Sequence, residues 1–243
     1  MKTAFFEIKD WEKDYISGRL KSCGCQFFSE ELTSDNAGMV KDADIISVFI
    51  YSKLNAVTLS KFPNLRCIAT RSTGFDHIDI EYCQKRGIKV FNVPQYGSDT
   101  VAEHTFMLIL ALAKRFSESV KRVKEGNFSP EGLTGIDLKG KTIGVIGTGK
   151  IGMSVIKIAN GFSMKVVAYD VNPNEEKRKE ENFEYVSLDN LLNISDIVTL
   201  HIPYGKETHH LVNSEKMALM KKGAYLINTS RGEWWIPPRF FWL

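Results

Sequence analysis

The sequence GTGKIG at residues 147–152 constrains the fold of this 243-residue chain more than any other feature. An apolar run precedes it at residues 142–146, and apolar residues at helical spacing follow it as far as Phe162. This order predicts a strand, a tight glycine turn and a helix, which together open a βαβ unit. A second apolar run, residues 165–169, ends at Asp170 and predicts the next parallel strand. The second half of the chain is therefore expected to be a doubly wound α/β domain.

The same turn predicts a dinucleotide site. Gly147 allows the tight turn, Gly149 lets the backbone approach a pyrophosphate, and Gly152 lets the helix pack closely on the strand. The amides of Lys150 and Ile151 are expected to face the phosphates at the positive end of the helix.

Asp170 decides which dinucleotide is expected. It lies 18 residues beyond the last glycine of the turn, where a carboxylate accepts hydrogen bonds from the ribose hydroxyls of NAD. A carboxylate there repels the 2′-phosphate of NADP, and residues 171–173 supply no arginine to offset it. The alternative is a plain glycine turn with a capping aspartate. The strand before the turn and the helix after it favour an NAD site.

The rest of the chain has a βα pattern with one change of character. Strands are predicted at residues 3–8, 45–50, 66–70, 89–92, 196–200 and 224–228. Helices are predicted at residues 11–20, 80–86, 187–192 and 214–220. A helix from Asp99 or Thr100 to about residue 116, with Thr100 and Glu103 as a capping box, leads into a glycine-rich connection. Its continuous apolar middle predicts burial between layers or against a partner chain. We expect one domain over residues 1–99 and a second over residues 100–233.

Composition excludes several classes of function. The net charge is only +3, and the basic cluster near residues 114–124 is expected to be a solvated face, so no nucleic-acid partner is predicted. The four cysteines lack zinc spacing, and no metal site is predicted. The longest apolar run, residues 106–113, is far short of the ~20 residues that span a bilayer. With no signal peptide at the start, a reducing, cytoplasmic location is expected.

Several blocks in order resemble the D-isomer-specific 2-hydroxyacid dehydrogenases. These are RSTGFDHIDI at 71–80, NVPQYGSDTVAEH at 92–104, GVIGTGKIG at 144–152, LHIPYGKETHHLVN at 200–213 and LINTSRGE at 226–233. The resemblance implies a flavodoxin-like substrate domain and a Rossmann NAD-binding domain, with homodimers joined largely through the Rossmann domains. It also implies hydride transfer between NAD and small 2-oxo or D-2-hydroxy acids.

The resemblance further implies roles for individual residues. Thr73 and Gly74 would offer backbone amides to the substrate carboxylate, and Tyr96 would line the substrate pocket. The residues expected to contact the cofactor outside the glycine turn are Thr100, His201, Ile202, Pro203, Thr208, Thr229 and Ser230. Among these, Thr100 would approach the nicotinamide side, residues 201–203 and Thr208 would border the adenosine half, and Thr229 and Ser230 would flank the nicotinamide ribose.

Arg231 is the predicted catalytic residue. It follows the predicted strand 224–228 at its carboxyl end, where ligands bind in open α/β sheets. Its guanidinium can hold a carboxylate and polarise a carbonyl for hydride attack. The family's acid–base histidine and its glutamate lie beyond this block. All five histidines of this chain precede Arg231, so none matches. His104 is expected to be structural, on a buried helix.

The last ten residues, WWIPPRFFWL, depart from the family pattern. Relatives continue with a segment resembling VVDTxALxxAL. The codons GTG GTG GAT ACC, read after loss of one G, become TGG TGG ATA CCN, which encode residues 234–237. We therefore expect a frameshifted tail over residues 234–243, and a chain without the family's catalytic histidine and glutamate. The alternative left open is a genuine aromatic docking segment in a non-enzymatic, NAD-responsive binding protein, as in the family's corepressor relatives.

Overall fold

The computed structural model describes residues 1–21, 23–94, 96–203, 205 and 207–230. Within it the chain forms two compact units, one running from Met1 to Tyr96 and the other beginning at Gly97. Each unit is built on its own parallel sheet.

The first unit is a flavodoxin-like α/β domain. Its strands are β1 (Lys2–Phe5), β2 (Gly24–Phe27), β3 (Ile45–Val48), β4 (Cys67–Thr70) and β5 (Lys89–Phe91). They lie in the order β2-β1-β3-β4-β5 and all described pairs are parallel, which is the flavodoxin order. The helices are α1 (Asp10–Arg19), α2 (Ala56–Ser60) and α3 (Ile80–Arg86), with a 3-10 turn at Ala37–Val40. Phe6, Ile46, Leu59, Phe62 and Ile68 are fully buried in its core.

Two differences from the predicted elements have local causes. The strand predicted at residues 3–8 ends at Phe5, because Glu7 takes a positive φ of 56° and turns the chain. Its carboxylate accepts the amides of Phe49 (2.6 Å) and Tyr51 (2.5 Å) beyond β3. Strand β2 was not predicted, because it is a short edge strand whose residues alternate between exposed and half-buried and include no Val or Ile.

The second unit is a Rossmann-type α/β domain. Its strands are β6 (Thr142–Ile146), β7 (Lys165–Tyr169), β8 (Glu184–Tyr185), β9 (Ile197–Leu200) and β10 (Tyr225–Asn228). They lie in the order β10-β9-β6-β7-β8, all parallel in the described pairs. The helices are α4 (Ser98–Ala113), α5 (Phe116–Lys124), α6 (Lys150–Gly161), α7 (Glu175–Glu180), α8 (Leu188–Ile194) and α9 (Ser214–Ala218). The predicted pair of doubly wound parallel sheets is confirmed.

Alternate residues of the second sheet build two separate cores. Ile143 and Val145 pack with α4 and α6 on one face, whereas Ile146 packs with Leu191 of α8 on the other. This alternation follows from the two-residue period of a strand. Because both faces are covered, the strands carry apolar side chains on both sides and are recognisable in the sequence as continuous apolar runs.

Helix α4 differs from its prediction. It begins at Ser98 after Gly97, and no side chain caps its first turn, so the predicted capping box at Thr100 was wrong. Asp99 instead accepts a hydrogen bond of 2.7 Å from the Ser154 hydroxyl of α6. The helix is buried along one stripe only, and Met107 on another side is 50% exposed. His104 lies off the buried stripe and is exposed within this unit. Its expected structural role stays a prediction.

Candidate functional site

The glycine turn between β6 and α6 is fixed by close backbone approach. Gly147 has a φ of +94°, and a side chain there would also collide with the His201 carbonyl, 2.7 Å from its Cβ. A Cβ on Gly152 would lie 2.0 Å from the Gly147 carbonyl oxygen. Both glycines are therefore required by the protein's own packing, the first for conformation and the second for the contact between helix and turn.

Gly149 is not required by packing, in contrast to Gly147 and Gly152. A Cβ built on Gly149 meets no described atom within 4 Å. The residue directly precedes the 12-residue helix α6, whose first-turn amides have no partner inside the helix. Open space beside free N–H donors at the positive end of a helix is the arrangement that holds a pyrophosphate. The turn therefore fits the phosphates of a dinucleotide.

Asp170, at the carboxyl end of β7, is hydrogen-bonded to the glycine turn. Its Oδ2 accepts the Thr148 amide at 2.6 Å and the Thr148 hydroxyl at 2.8 Å, and its Oδ1 accepts the Asn172 amide at 2.9 Å. Partial burial acts to raise the pKa of this carboxyl, but the hydrogen bonds from Asn172 and Thr148 outweigh it and lower the pKa. Asp170 is therefore ionised at neutral pH and lies beside the turn that its sequence position predicted.

Two of the predicted residues after β9, His201 and Ile202, lie beside the same turn. His201 donates its amide to Ile146 of β6 at 2.8 Å, and its ring is buried, with Nε2 2.9 Å from the Thr199 hydroxyl. Burial lowers the pKa of His201 to about 4, so the ring is neutral at pH 7. The Ile202 side chain would contact a Cβ at Gly147, and Pro203 is exposed. Thr208 closes the loop with a hydrogen bond from its hydroxyl to the Pro203 carbonyl at 3.1 Å.

A cavity of about 390 Å³ lies where α4 meets the end of β10. Its walls include the predicted nicotinamide-side residues Thr100, Thr229 and Ser230, together with His104 and Asn228. Its volume falls within the range of small-molecule sites.

Two hydroxyl contacts hold the loop at the end of this cavity. The buried Thr105 hydroxyl lies 3.1 Å from that of Thr229 and ties the loop to α4. The Ser230 hydroxyl donates to the Leu200 carbonyl at 3.0 Å and ties it to β9. The loop that precedes Arg231 is therefore held from both sides.

The predicted substrate-domain residues lie in the first unit, beyond the carboxyl end of β4. The Thr73 hydroxyl donates to the Val93 carbonyl at 2.9 Å, and the Thr73 carbonyl accepts from the Asn92 side chain at 2.8 Å. Tyr96 is 60% exposed. The roles of Thr73, Gly74 and Tyr96 toward a substrate stay predictions from the resemblance.

Some predictions lie outside the described residues. Arg231 does, and so does the whole segment 231–243 with its expected frameshifted tail. Their roles stay predictions from the sequence.

Three side chains of the candidate site were not predicted. Thr148 contacts Asp170, Tyr185 contacts Thr148, and Thr105 contacts Thr229. Thr148 stands inside GTGKIG and could have been considered from its position. Tyr185 and Thr105 carry no sequence signal, because their roles depend on which strands and helices become neighbours.

Within the described part of the chain, no group of three or more His, Cys, Asp or Glu side chains is arranged to hold a metal ion. None of the helices in that part combines the length and the apolar character needed to cross a membrane.

Comparison with known proteins shows consistent likenesses. Residues 106–235 match the family "D-isomer specific 2-hydroxyacid dehydrogenase, NAD binding domain". The 2-hydroxyacid dehydrogenase homolog of Zymomonas mobilis is 38% identical over 96% of this chain and 72% of its own length. The D-lactate dehydrogenase of Escherichia coli is 36% identical over 96% of this chain and 71% of its own.

A solved structure shows the same likeness in three dimensions. D-lactate dehydrogenase from Aquifex aeolicus, complexed with NAD and lactic acid, superposes with a TM-score of 0.90 at 44% identity, covering 95% of this chain and 69% of that one. The family match also confirms NAD as the predicted cofactor. The ordered motifs, the two parallel sheets and these likenesses show that the chain belongs to the D-isomer-specific 2-hydroxyacid dehydrogenase family.

Proposed function

We propose that this protein takes part in the NAD-dependent interconversion of small 2-oxo acids, such as pyruvate or glyoxylate, and D-2-hydroxy acids. The observation that carries the proposal is the ionised Asp170 held beside the open Gly149 turn. Relatives named D-lactate dehydrogenase and glyoxylate reductase support this substrate class. NADH, when bound, supplies the hydride.

Each part of the chain has a role in this proposal. The first-turn amides of α6 hold the pyrophosphate, and the Asp170 carboxylate holds the adenosine ribose. The amides of Thr73 and Gly74 bind the carboxylate of the 2-oxo acid. In the role that the family resemblance gives it, Arg231 polarises the carbonyl of a 2-oxo acid, which stabilises the negative charge that develops on that oxygen.

The proposed reaction also needs a proton donor. The reduction needs an acid that protonates the substrate oxygen as hydride arrives. His201 is neutral and buried, and its pKa of about 4 leaves it almost no proton to give at pH 7. His104 lines the cavity beside Thr229 and is exposed. In our proposal, His201 is therefore not the proton donor.

The first experiment tests the reaction class. NADH consumption is followed for the protein with a panel of 2-oxo acids, and NADPH is run in parallel. We expect consumption of NADH with a small 2-oxo acid, and its loss in an Arg231→Gln variant that still binds NADH. Activity confined to NADPH would contradict the role given to Asp170.

The second experiment compares the protein with a His104→Gln variant under the same conditions. Equal turnover in the two would exclude His104 as the proton donor.

The alternative of an NAD-responsive binding protein has a distinct outcome in the same pair of experiments. Binding of NADH with no turnover of any 2-oxo acid would favour it. A homodimer and a cytoplasmic location stay predictions from the resemblance and the composition.

A further inference from the structure

A directional chain of hydrogen bonds leads to the candidate ribose-binding carboxylate. The Asn174 amide lies 3.2 Å from the Tyr185 hydroxyl, which lies 2.9 Å from the Thr148 hydroxyl, which lies 2.8 Å from Asp170 Oδ2. We call this set of four residues the Tyr185 relay. Nothing in the proposed function so far requires it.

The donors of the relay can be assigned without seeing hydrogens. An ionised carboxylate only accepts, so the Thr148 hydroxyl donates its single proton to Asp170. The Tyr185 hydroxyl must therefore donate to Thr148, and its own oxygen accepts from the Asn174 amide. Each hydroxyl donates once and accepts once, which leaves neither one free to turn away.

The relay also decides which carboxylate oxygen faces a ligand. Oδ2 accepts both the amide and the hydroxyl of Thr148, and a carboxylate oxygen offers about two acceptor directions. Oδ2 is therefore saturated. Hydrogen bonds to a ribose fall to Oδ1, which accepts the Asn172 amide. The Val171 amide also stabilises the Asp170 carboxylate.

The far end of the relay is anchored in the sheet. Tyr185 belongs to β8, which pairs with Ala168 of β7. Its ring packs edge-on against Phe183 at 5.0 Å between centroids, and Phe183 is 3% exposed. Thr148 is 5% exposed. Because Tyr185 is held by packing, its hydroxyl is a fixed reference point for the turn and the carboxylate.

We propose that Tyr185 and Thr148 are specificity-determining positioning residues, which lock the Asp170 carboxylate with Oδ1 toward the ribose and so set the preference for NAD over NADP. The inference rests on the proposed function, because it assumes that Asp170 meets the ribose. A carboxylate that can rotate away would bind the ribose hydroxyls less tightly and repel a 2′-phosphate less strongly. Loosening the relay therefore narrows the discrimination between the two cofactors.

The test measures dissociation constants of the full 243-residue chain for NADH, NADPH, ADP-ribose and reduced nicotinamide mononucleotide by calorimetry. Tyr185→Phe keeps the ring and removes the donor, Thr148→Val removes the hydroxyl, and Thr148→Ser is the matched control that keeps it. We expect Thr148→Val to weaken the binding of NADH and ADP-ribose about tenfold, and Tyr185→Phe to weaken it somewhat less. The ratio of NADPH to NADH constants falls in both variants and stays unchanged in Thr148→Ser.

The mononucleotide separates positioning from general damage, because it lacks the adenosine ribose. Its affinity is expected to be unchanged in all three variants. If the variants weakened the binding of all four ligands equally, the relay would have only a structural role, and the inference would be overturned. Since the two hydroxyls act in series, Thr148→Val combined with Tyr185→Phe is expected to weaken NADH little more than Thr148→Val alone.

A second readout needs no cofactor. The titration of the Asp170 carboxyl is followed by carbon NMR in the ligand-free chain, and its pKa is expected to rise in Thr148→Val and Tyr185→Phe but not in Thr148→Ser. If the unaltered chain binds no NADH, the proposed function fails while this titration still decides the relay. An unshifted Asp170 titration and an unchanged cofactor ratio in both variants would overturn the relay itself.

Discussion

The buried imidazole of His201 is expected to make the second unit sensitive to acid. The ring is 9% exposed, and its pKa is lowered from 6.5 to about 4 by burial. Nε2 lies 2.9 Å from the Thr199 hydroxyl, whereas Nδ1 has no hydrogen-bond partner among the described residues. Protonation in the folded state would therefore place a charge where nothing described compensates it.

The sign of the effect follows from proton uptake. Between pH 6.5 and about 4 the unfolded chain holds a proton on this histidine that the folded chain does not. Stability therefore rises with pH across this window and is lost as pH falls. The full shift corresponds to about 3 kcal/mol, and the part expressed between pH 7 and pH 5 to about 2 kcal/mol.

The perturbation that tests this is His201→Gln, which keeps a polar atom near Thr199 and cannot ionise. The free energy of unfolding is measured by urea denaturation, followed by circular dichroism, at pH values from 7 to 5. We expect the unaltered chain to lose about 2 kcal/mol more than the variant over this range. His104→Gln is the matched control, because His104 is exposed, and it should follow the unaltered chain. Parallel pH profiles for the unaltered chain and His201→Gln would refute the reasoning.

Three further changes have clear expected outcomes. Gly152→Ala forces a Cβ to 2.0 Å from a carbonyl oxygen and should lower the free energy of unfolding by about 2 kcal/mol or more. Gly149→Ala places its Cβ in open space, so it should leave the free energy of unfolding unchanged and weaken NADH binding about tenfold in calorimetry. Glu7→Gln replaces a carboxylate that accepts two backbone amides with a neutral side chain that carries an NH₂ donor. We expect it to lower the free energy of unfolding by about 2 kcal/mol in urea denaturation, and the exposed Glu31→Gln is the control that should leave it unchanged. Thr105→Val removes the hydroxyl contact with Thr229 in the loop after β10 and should lower the free energy of unfolding by about 1 kcal/mol. An unchanged midpoint of urea denaturation would contradict the role of Thr105 in holding this loop.

The central strands of both sheets could be predicted because they are buried on both faces. Residues 142–146 and 165–169 are observed as β6 and β7 with the predicted bounds, and helix 80–86 is observed as α3. A strand covered on both faces is apolar throughout, so it can be recognised in the sequence as a continuous apolar run. Edge strands are not subject to this requirement, and β2 and the two-residue β8 were missed.

The ends of elements depended on contacts between distant residues. Glu7 ends β1 early because its carboxylate binds amides more than 40 positions away. The first turn of α4 was misplaced because local capping rules favoured Thr100, whereas Asp99 is taken by Ser154 of α6. Such partners are brought together only by the packing of whole helices and strands.

In the candidate site, too, some features could be predicted from local sequence and others depended on the packing of distant residues. The sequence by itself determined the glycine turn, Asp170 and NAD, because a pyrophosphate demands glycines at a fixed spacing and a ribose demands a carboxylate at the next strand end. Only the tertiary structure decided that β8 pairs with β7, and this pairing puts Tyr185 within 2.9 Å of Thr148. It also decided that His201 is buried and neutral while His104 is exposed, since a side chain's surroundings depend on which surfaces pack over it.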